Sequence, residues 1–230
     1  MIASLNVARY HLVDRLTYLG LPWAILAFTF VINVIIAAAI PVKAGTPIHV
    51  GGLASFYFVL VAAGVLSTTR SLPFGLAVGV SRRSYWIGTT GLAVTLAAVY
   101  GLVLTLLQVV ERATNGWGVK LYFFRVTYLL DGPWYQTWLT SFVGLAVVFV
   151  YGSWFGLMYR RWRVMGLAAF IACQVTLLLA GALIATWVDA WHSVGHFFTT
   201  LSASGLTGLL AALAAALFAG AFVTIRRVTV

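Results

Sequence analysis

The sequence predicts an all-α membrane protein, a polytopic bundle of six transmembrane helices with both termini in the cytoplasm. Of its 230 residues, 63% are hydrophobic and only 8% are charged, whereas a soluble domain is about half apolar and about a quarter charged. Six apolar stretches are long enough to cross a bilayer, and the basic residues fall in small groups between them. A chain of this size cannot bury so much apolar surface, which indicates that lipid surrounds it.

The predicted spans are stretches of about 20 apolar residues, the length that carries a helix across the hydrocarbon with its backbone amides bonded internally. They run approximately from Leu21 to Ile40, Val50 to Thr69, Tyr85 to Val110, Trp138 to Tyr159, Val164 to Val188 and Leu206 to Ile225. No linker divides them, so we expect residues 1–230 to form a single transmembrane domain. The alternative is a chain of five spans in which one apolar stretch is re-entrant.

Arginine and lysine predict the orientation. On the side of the termini the acidic Asp14 is accompanied by ten basic residues: Arg9, Arg15, Arg70, Arg82, Arg83, Arg160, Arg161, Arg163, Arg226 and Arg227. The other side holds four basic and three acidic residues: Lys43, Arg112, Lys120, Arg125, Glu111, Asp131 and Asp189. The positive-inside rule therefore places both termini in the cytoplasm. Basic groups scattered between spans also argue against nucleic-acid binding. The excess of arginine over lysine and the abundance of alanine indicate a bacterium with GC-rich coding, so the expected location is a bacterial plasma membrane.

Three segments outside the spans have a predicted location. Residues 1–19 carry apolar side chains at helical spacing and predict an amphipathic helix in the membrane interface, with a disordered tail as the alternative. Residues 111–137 and 189–204 are expected on the extracytoplasmic side. The first of these is rich in aromatic residues, which predicts a surface at the level of the lipid headgroups.

Small residues predict where helices pack, either within the chain or against a second copy. Helices associate closely in lipid where Gly and Ala recur four residues apart. The positions with this spacing are Gly152 and Gly156 in the fourth span and Gly208, Ala212, Ala216 and Gly220 in the last span.

Polar residues at membrane depth are candidates for a substrate path. They are Asn33, Tyr57, Gln108 and Gln174. Hydrogen bonds between helices are the favoured interpretation of these four residues, and a substrate path is the alternative. Ionisable groups are essentially absent from the spans, which argues against an ion-coupled carrier and favours a hydrophobic or amphipathic cargo.

The loop between the second and third spans predicts a short cytoplasmic helix over residues 71–83. Ser71 is expected to cap its start, with Pro73 in the first turn, where a missing N–H is tolerated. Gly79 is expected to end this helix in the left-handed conformation. Ser81 then offers a second cap, for the helix that returns into the membrane.

This loop resembles that of the permease subunits of ABC transporters of the type-2 exporter class. The resemblance rests on Leu72-Pro73-Phe74, on Gly79-Val80-Ser81-Arg82-Arg83, and on Tyr85 and Gly88 that follow. It implies that residues 71–83 form a coupling helix, with Leu72, Pro73, Phe74, Gly79, Val80, Ser81, Arg82 and Arg83 contacting a separate ATP-hydrolysing subunit. It also implies a second permease subunit, identical or related. The long loop from Glu111 to Thr137 departs from many members of the class.

The chain itself is not expected to be an enzyme. A P-loop needs a lysine followed by Ser or Thr, and neither Lys43 nor Lys120 has one. ATP and Mg²⁺ are therefore expected on the partner subunit, with no cofactor in this chain. Asp189, His192 and His196 have the spacing of a helical metal site, but interfacial polar residues are the default interpretation. The alternative functions are a non-transporting membrane anchor or sensor and, less favoured, a metal-dependent membrane enzyme.

Overall fold

The computed structural model describes residues 16–39, 48–126 and 132–226, and this part of the chain is almost wholly helical, as predicted. A π-helical turn (Leu16–Gly20) is followed by α1 (Leu21–Ala39), β1 (Ile48–His49), α2 (Ala54–Leu66), a π-helical turn (Ser67–Ser71), α3 (Leu72–Ala77), α4 (Arg82–Ala113), an irregular turn (Gly116–Lys120), β2 (Leu121–Tyr122), α5 (Trp134–Trp187), α6 (Trp191–Thr200) and α7 (Ala203–Arg226). The two strands pair in parallel. Most of the predicted interfacial helix, residues 1–15, lies outside the described residues.

Helix α5 consists of two arms that meet at Arg163, whose backbone angles of φ 57° and ψ −148° are not helical. We call the arms α5a, residues 134–162, and α5b, residues 164–187. The Tyr151 hydroxyl donates a hydrogen bond to Gln174 Oε1, and the ring centroids of Phe155 and Phe170 lie 5.3 Å apart. In an unbroken helix the backbones of residues 151 and 174 would be about 34 Å apart. The arms therefore form an antiparallel hairpin.

Several helices have the length and composition needed to cross a membrane, which supports the predicted membrane protein. In the described part of the chain they are Leu16–Ala39, Ala54–Ala77, Arg82–Ala113, Trp134–Trp187 and Ala203–Ile225. Apolar side chains remain exposed along much of their length, above all on α5b. Such exposure is what a lipid-facing surface requires and what a soluble monomer avoids.

The direction of the helices brings the arginines together. Contacts from Thr140 to Thr207 and from Trp154 to Leu217 align α5a and α7 in parallel. Contacts from Phe56 to Tyr100 and from Ser67 to Tyr85 set α2 and α4 antiparallel. The resulting group at one end of the bundle, which we call the arginine end, contains Arg70, Arg82, Arg83, Arg160, Arg161 and Arg163.

The closest helix contact joins α2 and α5a through three glycines, Gly64, Gly152 and Gly156, which we call the glycine seam. A Cβ atom added at Gly152 would overlap the Val61 carbonyl, and one added at Gly64 would overlap the Phe149 carbonyl. The two backbones therefore touch directly, as small residues allow in a membrane bundle. Gly152 and Gly156 were singled out from the sequence, whereas their partner Gly64 was not.

The small residues of α7 do not share one environment. Gly220 packs against the Trp154 ring, because an added Cβ atom would lie 2.6 Å from that ring. Gly208, Ala212 and Ala216 are exposed, and no atom lies within 4 Å of a Cβ added at Gly208. The predicted stripe thus contributes to packing inside the described bundle only at its arginine end.

Residues 111–126 fold into a compact cap at the opposite end of the bundle, and Glu111 holds it together. The Glu111 side chain is fully buried. Its Oε2 accepts hydrogen bonds from Trp117 Nε1 at 3.0 Å, Phe123 N at 2.8 Å and Phe124 N at 2.9 Å, and its Oε1 accepts one from Arg125 N at 3.0 Å. Hydrogen bonds to an ionised acceptor are about twice as strong as neutral ones. The carboxylate therefore fixes the path of the cap.

The aromatic residues of the cap correct the expectation that their rings form an exposed surface, whereas the level of this loop in the membrane stays a prediction. Phe123 and Phe124 are buried, and the Phe30 ring of α1 lies 5.0 Å from Trp117 and 5.4 Å from Phe123 between ring centroids. The physical reason is that Glu111 draws the loop inward, so its rings complete the core. Only Trp134 and Tyr135, beyond the cap, are mostly exposed as expected. Residues 127–131 of the predicted segment lie outside the described residues.

The glycine seam can be tested with Gly152→Ala. We expect the added methyl group to force the backbones of α2 and α5a apart and to lower stability by about 1–3 kcal/mol, the usual cost of overpacking. The melting temperature of the detergent-solubilised protein measures this. Gly181→Ala is the matched control, since it makes the same exchange on α5b where nothing lies within 4 Å of the new Cβ atom. Equal melting temperatures for the two variants would contradict the seam.

The cap can be tested with Glu111→Gln. Glutamine keeps the shape but replaces one acceptor oxygen by an NH₂ group that faces an N–H donor. Each hydrogen bond to a charged group contributes about 1.5–3 kcal/mol, so we expect amide exchange at residues 123–125 to accelerate about 10- to 100-fold. Hydrogen–deuterium exchange with mass spectrometry measures it. Asp189→Asn, at an exposed acid, should leave these amides unchanged; similar rates in both variants would argue against the clamp.

Candidate functional site

The segment between α2 and α4 carries the residues on which the resemblance rests. Helix α3 does not start afresh, because the π-helical turn Ser67–Ser71 connects it directly to α2. The expectation that Ser71 caps α3 is wrong: its backbone is helical, at φ −76° and ψ −33°, and its side chain makes no capping bond. A helix that is entered from a preceding helical turn has no free N–H groups for a cap to satisfy.

Pro73 explains the π-helical turn. Proline has no N–H to donate to the carbonyl four residues back, and its ring crowds that carbonyl. The hydrogen-bond ladder changes its register directly before this residue, and such π-helical turns interrupt helices at positions of this kind. The long helix that begins at Ala54 therefore continues to Ala77 with a change of register.

The end of α3 confirms the prediction for Gly79. Its φ of 86° is left-handed. The Gly79 N–H donates to the Leu76 carbonyl at 3.0 Å, and the Val80 N–H donates to the Gly75 carbonyl at 3.0 Å. These two bonds form a Schellman motif, which ends a helix with a left-handed residue that is usually glycine.

The start of α4 confirms the prediction for Ser81. This residue is extended, at φ −66° and ψ 146°, and its Oγ accepts a hydrogen bond from Ser84 N at 3.1 Å. The side chain thus satisfies one of the free N–H groups of the first turn. Arg82 and Arg83 follow at once, so both guanidinium groups belong to the first turn of α4 at the arginine end.

Tyr85 fastens α3 to both long helices. Its side chain is 1% exposed, and its hydroxyl donates a hydrogen bond to the Ser67 carbonyl in the π-helical turn. The ring lies against Gly75, where an added Cβ atom would be 3.0 Å from it, and Leu72 beside it is also buried. Residues 67–86, which we call the α3 unit, are therefore one packed body rather than a loose loop.

The outer face of the α3 unit is apolar and basic. Phe74 is 52% and Val78 is 67% exposed, and the neighbouring Arg83 is exposed too. The eight residues singled out from the sequence therefore divide. Leu72 is part of the core, Pro73, Val80 and Arg82 are half-buried, and Phe74, Gly79, Ser81 and Arg83 are exposed.

The four polar candidates for a substrate path are not brought together. Asn33 Nδ2 donates to the Thr29 carbonyl of its own helix, Gln108 is buried, and Gln174 accepts the Tyr151 hydroxyl across the hairpin. Tyr57 lines a cavity that has a volume of 570 Å³ and lies between α2, α5a and α7. A hydrogen bond between helices, the interpretation favoured from the sequence, describes Gln174, whereas Asn33 bonds within its own helix.

The metal-site candidate does not hold. Among the described residues, no three His, Cys, Asp or Glu side chains form a group that could bind a metal ion, and Asp189, His192 and His196 are included in that statement. The physical reason is the backbone at Asp189, whose φ of 51° places it in the turn between α5 and α6. It therefore does not share a helix face with the two histidines.

Comparison of the chain with protein-family models, with curated proteins and with solved structures gives no match. Two features of the structure bear on function. One is the α3 unit at the arginine end, and the other is the cavity beside Tyr57.

The α3 unit can be tested with Tyr85→Phe. Loss of the hydroxyl removes the buried hydrogen bond to the Ser67 carbonyl, and we expect stability to fall by about 1 kcal/mol, the usual net contribution of such a bond. Amide exchange at residues 75–80 should accelerate, as measured by hydrogen–deuterium exchange. Tyr135→Phe removes an exposed hydroxyl and serves as the control. If both variants exchange at the wild-type rate, Tyr85 does not fasten α3.

Proposed function

We propose that the chain is the membrane-spanning permease subunit of an ATP-driven transporter of the ABC type-2 exporter class, in a bacterial plasma membrane. Its cargo would be a hydrophobic or amphipathic compound. The observation that carries this proposal is the α3 unit, a short helix packed firmly against two long helices with an exposed outer face.

The proposal takes the two arms of α5 as separate spans. With α1, α2, α4 and α7 this gives six spans and puts both termini on the same side. The arginine end then faces the cytoplasm, in agreement with the positive-inside rule. The cap formed by residues 111–126, at the end of the bundle opposite the α3 unit, then faces outward.

The packing of the α3 unit suits the transmission of force. Leu72 and Tyr85 are buried, and the Tyr85 hydroxyl bonds to the end of α2. A push on Phe74 or Val78 from a cytoplasmic partner would therefore move α2 and α4 together, rather than bend a loose connection. Such rigid-body displacement of packed helices is one of the established ways in which proteins switch between two states.

The outer face of the α3 unit suits a protein partner. Exposed apolar side chains beside a basic residue, at an end that faces water, are typical of a docking surface. The partner would be a separate subunit that binds and hydrolyses ATP with Mg²⁺. A second permease subunit, identical or related, would pack against exposed helix faces, for which the exposed Gly208, Ala212 and Ala216 of α7 are candidates.

The proposal predicts that Arg82→Glu combined with Arg83→Glu abolishes association with the ATPase subunit and the ATP hydrolysis that depends on it, because the partner would face two reversed charges. The chain is affinity-purified from its native membrane, co-purifying proteins are identified by mass spectrometry, and ATP hydrolysis is measured. Arg112→Glu combined with Lys120→Glu makes the same charge change at the cap end and should leave both readouts unchanged.

Reversed charges could also disturb membrane orientation, so a second variant, Phe74→Ala combined with Val78→Ala, removes the apolar face without altering charge. Protease accessibility of a C-terminal tag verifies the orientation of every variant. Wild-type association and hydrolysis in both α3 variants would refute the coupling role. If no ATPase accompanies the wild-type chain, a non-transporting anchor or sensor becomes the better interpretation.

A further inference from the structure

We propose that the cavity beside Tyr57 binds the hydrocarbon chain of a membrane amphiphile, with the Tyr57 hydroxyl donating a hydrogen bond to a carbonyl oxygen of that molecule. We call it the Tyr57 cavity. This inference goes beyond the proposed function, because the cavity can hold such a chain whether or not the protein transports it.

The walls of the Tyr57 cavity are apolar. Its volume is 570 Å³, within the range of about 300–1,000 Å³ typical of small-molecule sites. The lining contains no charged residue and consists of Val50, Gly51, Leu53, Ala54, Tyr57, Phe58, Val61, Val126, Thr140, Gly144, Val148 and Leu210. Such a wall is compatible with a hydrocarbon chain and would hold an ionic ligand poorly.

The depth of the cavity along α2 corresponds to one leaflet of a bilayer. It begins at the cap end, where Val50 and Val126 contribute to its wall, and follows α2 inward as far as Val61. The seven helical steps from Ala54 to Val61 correspond to about 10 Å of helix. This depth lies within one half of a hydrocarbon core about 30 Å thick. An acyl chain that enters from the leaflet at the cap end would therefore lie alongside α2.

The hydrogen bonds of the lining single out Tyr57. Thr140 Oγ1 and Thr207 Oγ1 lie 2.7 Å apart and bond to each other, and each is also within hydrogen-bond distance of a carbonyl of its own helix. The Tyr57 hydroxyl, by contrast, makes no hydrogen bond within the described part of the chain. An unpaired hydroxyl in an apolar setting costs free energy. A ligand that brings an acceptor would remove that cost.

Gly144 makes room for the phenol ring. A Cβ atom added at Gly144 would lie 3.4 Å from Tyr57 Cε1 and 3.7 Å from its hydroxyl oxygen. Any longer side chain at this position would extend into the space beside the ring. The cavity thus depends on a glycine, which offers a way to close it by substitution.

The chemistry favours a lipid chain over a helix of a second copy. The carbonyls of a transmembrane helix are already bonded within that helix, so a packed helix would leave Tyr57 without a partner. The ester or carboxyl oxygen of an acyl lipid is a free acceptor attached directly to an apolar chain. An acyl chain therefore satisfies both features of the site, the apolar wall and the single donor.

The test uses the full-length protein in phosphatidylcholine nanodiscs that contain a phosphatidylcholine with a photoactivatable diazirine in one acyl chain. After irradiation, mass spectrometry measures cross-linking to peptides 50–61 and 140–148, with oleic acid as the competitor. We expect saturable cross-linking there. Tyr57→Phe should weaken competition by oleic acid about fivefold, the effect of losing one hydrogen bond.

Gly144→Leu should fill the cavity and reduce its cross-linking about tenfold or more, by analogy with other volume changes in packed sites. Gly181→Leu makes the same exchange on exposed α5b, where nothing lies within 4 Å of the glycine, and should have no effect. Val148→Phe is a second filling variant in case Gly144→Leu does not fold. Melting temperatures establish which variants are folded.

Two results would overturn the proposal. In the first, oleic acid does not reduce the cross-linking of the cavity peptides, and a folded variant with a filled cavity is cross-linked as strongly as the wild type. This is the behaviour of lipid that merely surrounds the protein. The other is a cavity that is labelled in monomers but protected in dimers, which would mean that a second copy covers it.

Discussion

Direct backbone contact between α2 and α5a is the constraint on which the described bundle depends. In lipid the apolar side chains gain little by leaving their surroundings, so helices associate through close packing and hydrogen bonds. Gly64, Gly152 and Gly156 permit that packing, and Ser67 and Thr68 extend it with polar contacts to Ser153. The seam holds the C-terminal half of α2 in place. Both candidate sites lie on this helix or on its continuation.

The two ends of α2 have different chemistry. At the cap end the helix contributes Tyr57 and Val61 to an apolar cavity, and at the arginine end it passes through a π-helical turn into α3. The continuous helical stretch from Ala54 to Ala77 has 24 residues. If both proposals hold, the surface that meets the ATPase subunit and the surface that meets the acyl chain belong to one rigid element. Communication between them would then need no relay through other helices.

The fold was largely predictable from sequence because its main signals are local or cumulative. Hydropathy located the long helices, and the arginines around Arg163 marked the turn of the hairpin. Gly79 and Ser81 were predicted correctly because a helix end depends on the chemistry of a few adjacent residues. The cap predicted at Ser71 was wrong, because a cap is needed only where a helix starts, and α3 continues from α2.

The sites were less predictable because they depend on tertiary contacts. The partners of Glu111 lie between 6 and 14 residues further along the chain. They reach it only through a turn in which Asn115, Trp117 and Lys120 adopt positive φ. Gly64 carried no signal until its partner helix was known. Tyr57 was a candidate by polarity alone. It differs from Asn33 and Gln174 because its hydroxyl makes no hydrogen bond to any described residue.

The hairpin turn at Arg163 combines a strained backbone with a positively charged side chain. Backbone angles near φ 57° and ψ −148° belong to a region almost restricted to glycine, and a side chain there costs about 1–3 kcal/mol. Glycine at this position would relieve the strain but would remove one of the cationic groups of the arginine end. If the arginine end faces the cytoplasm, as proposed, the charge of Arg163 helps to keep the tip on that side, and membrane insertion rather than folding energy then accounts for an arginine here.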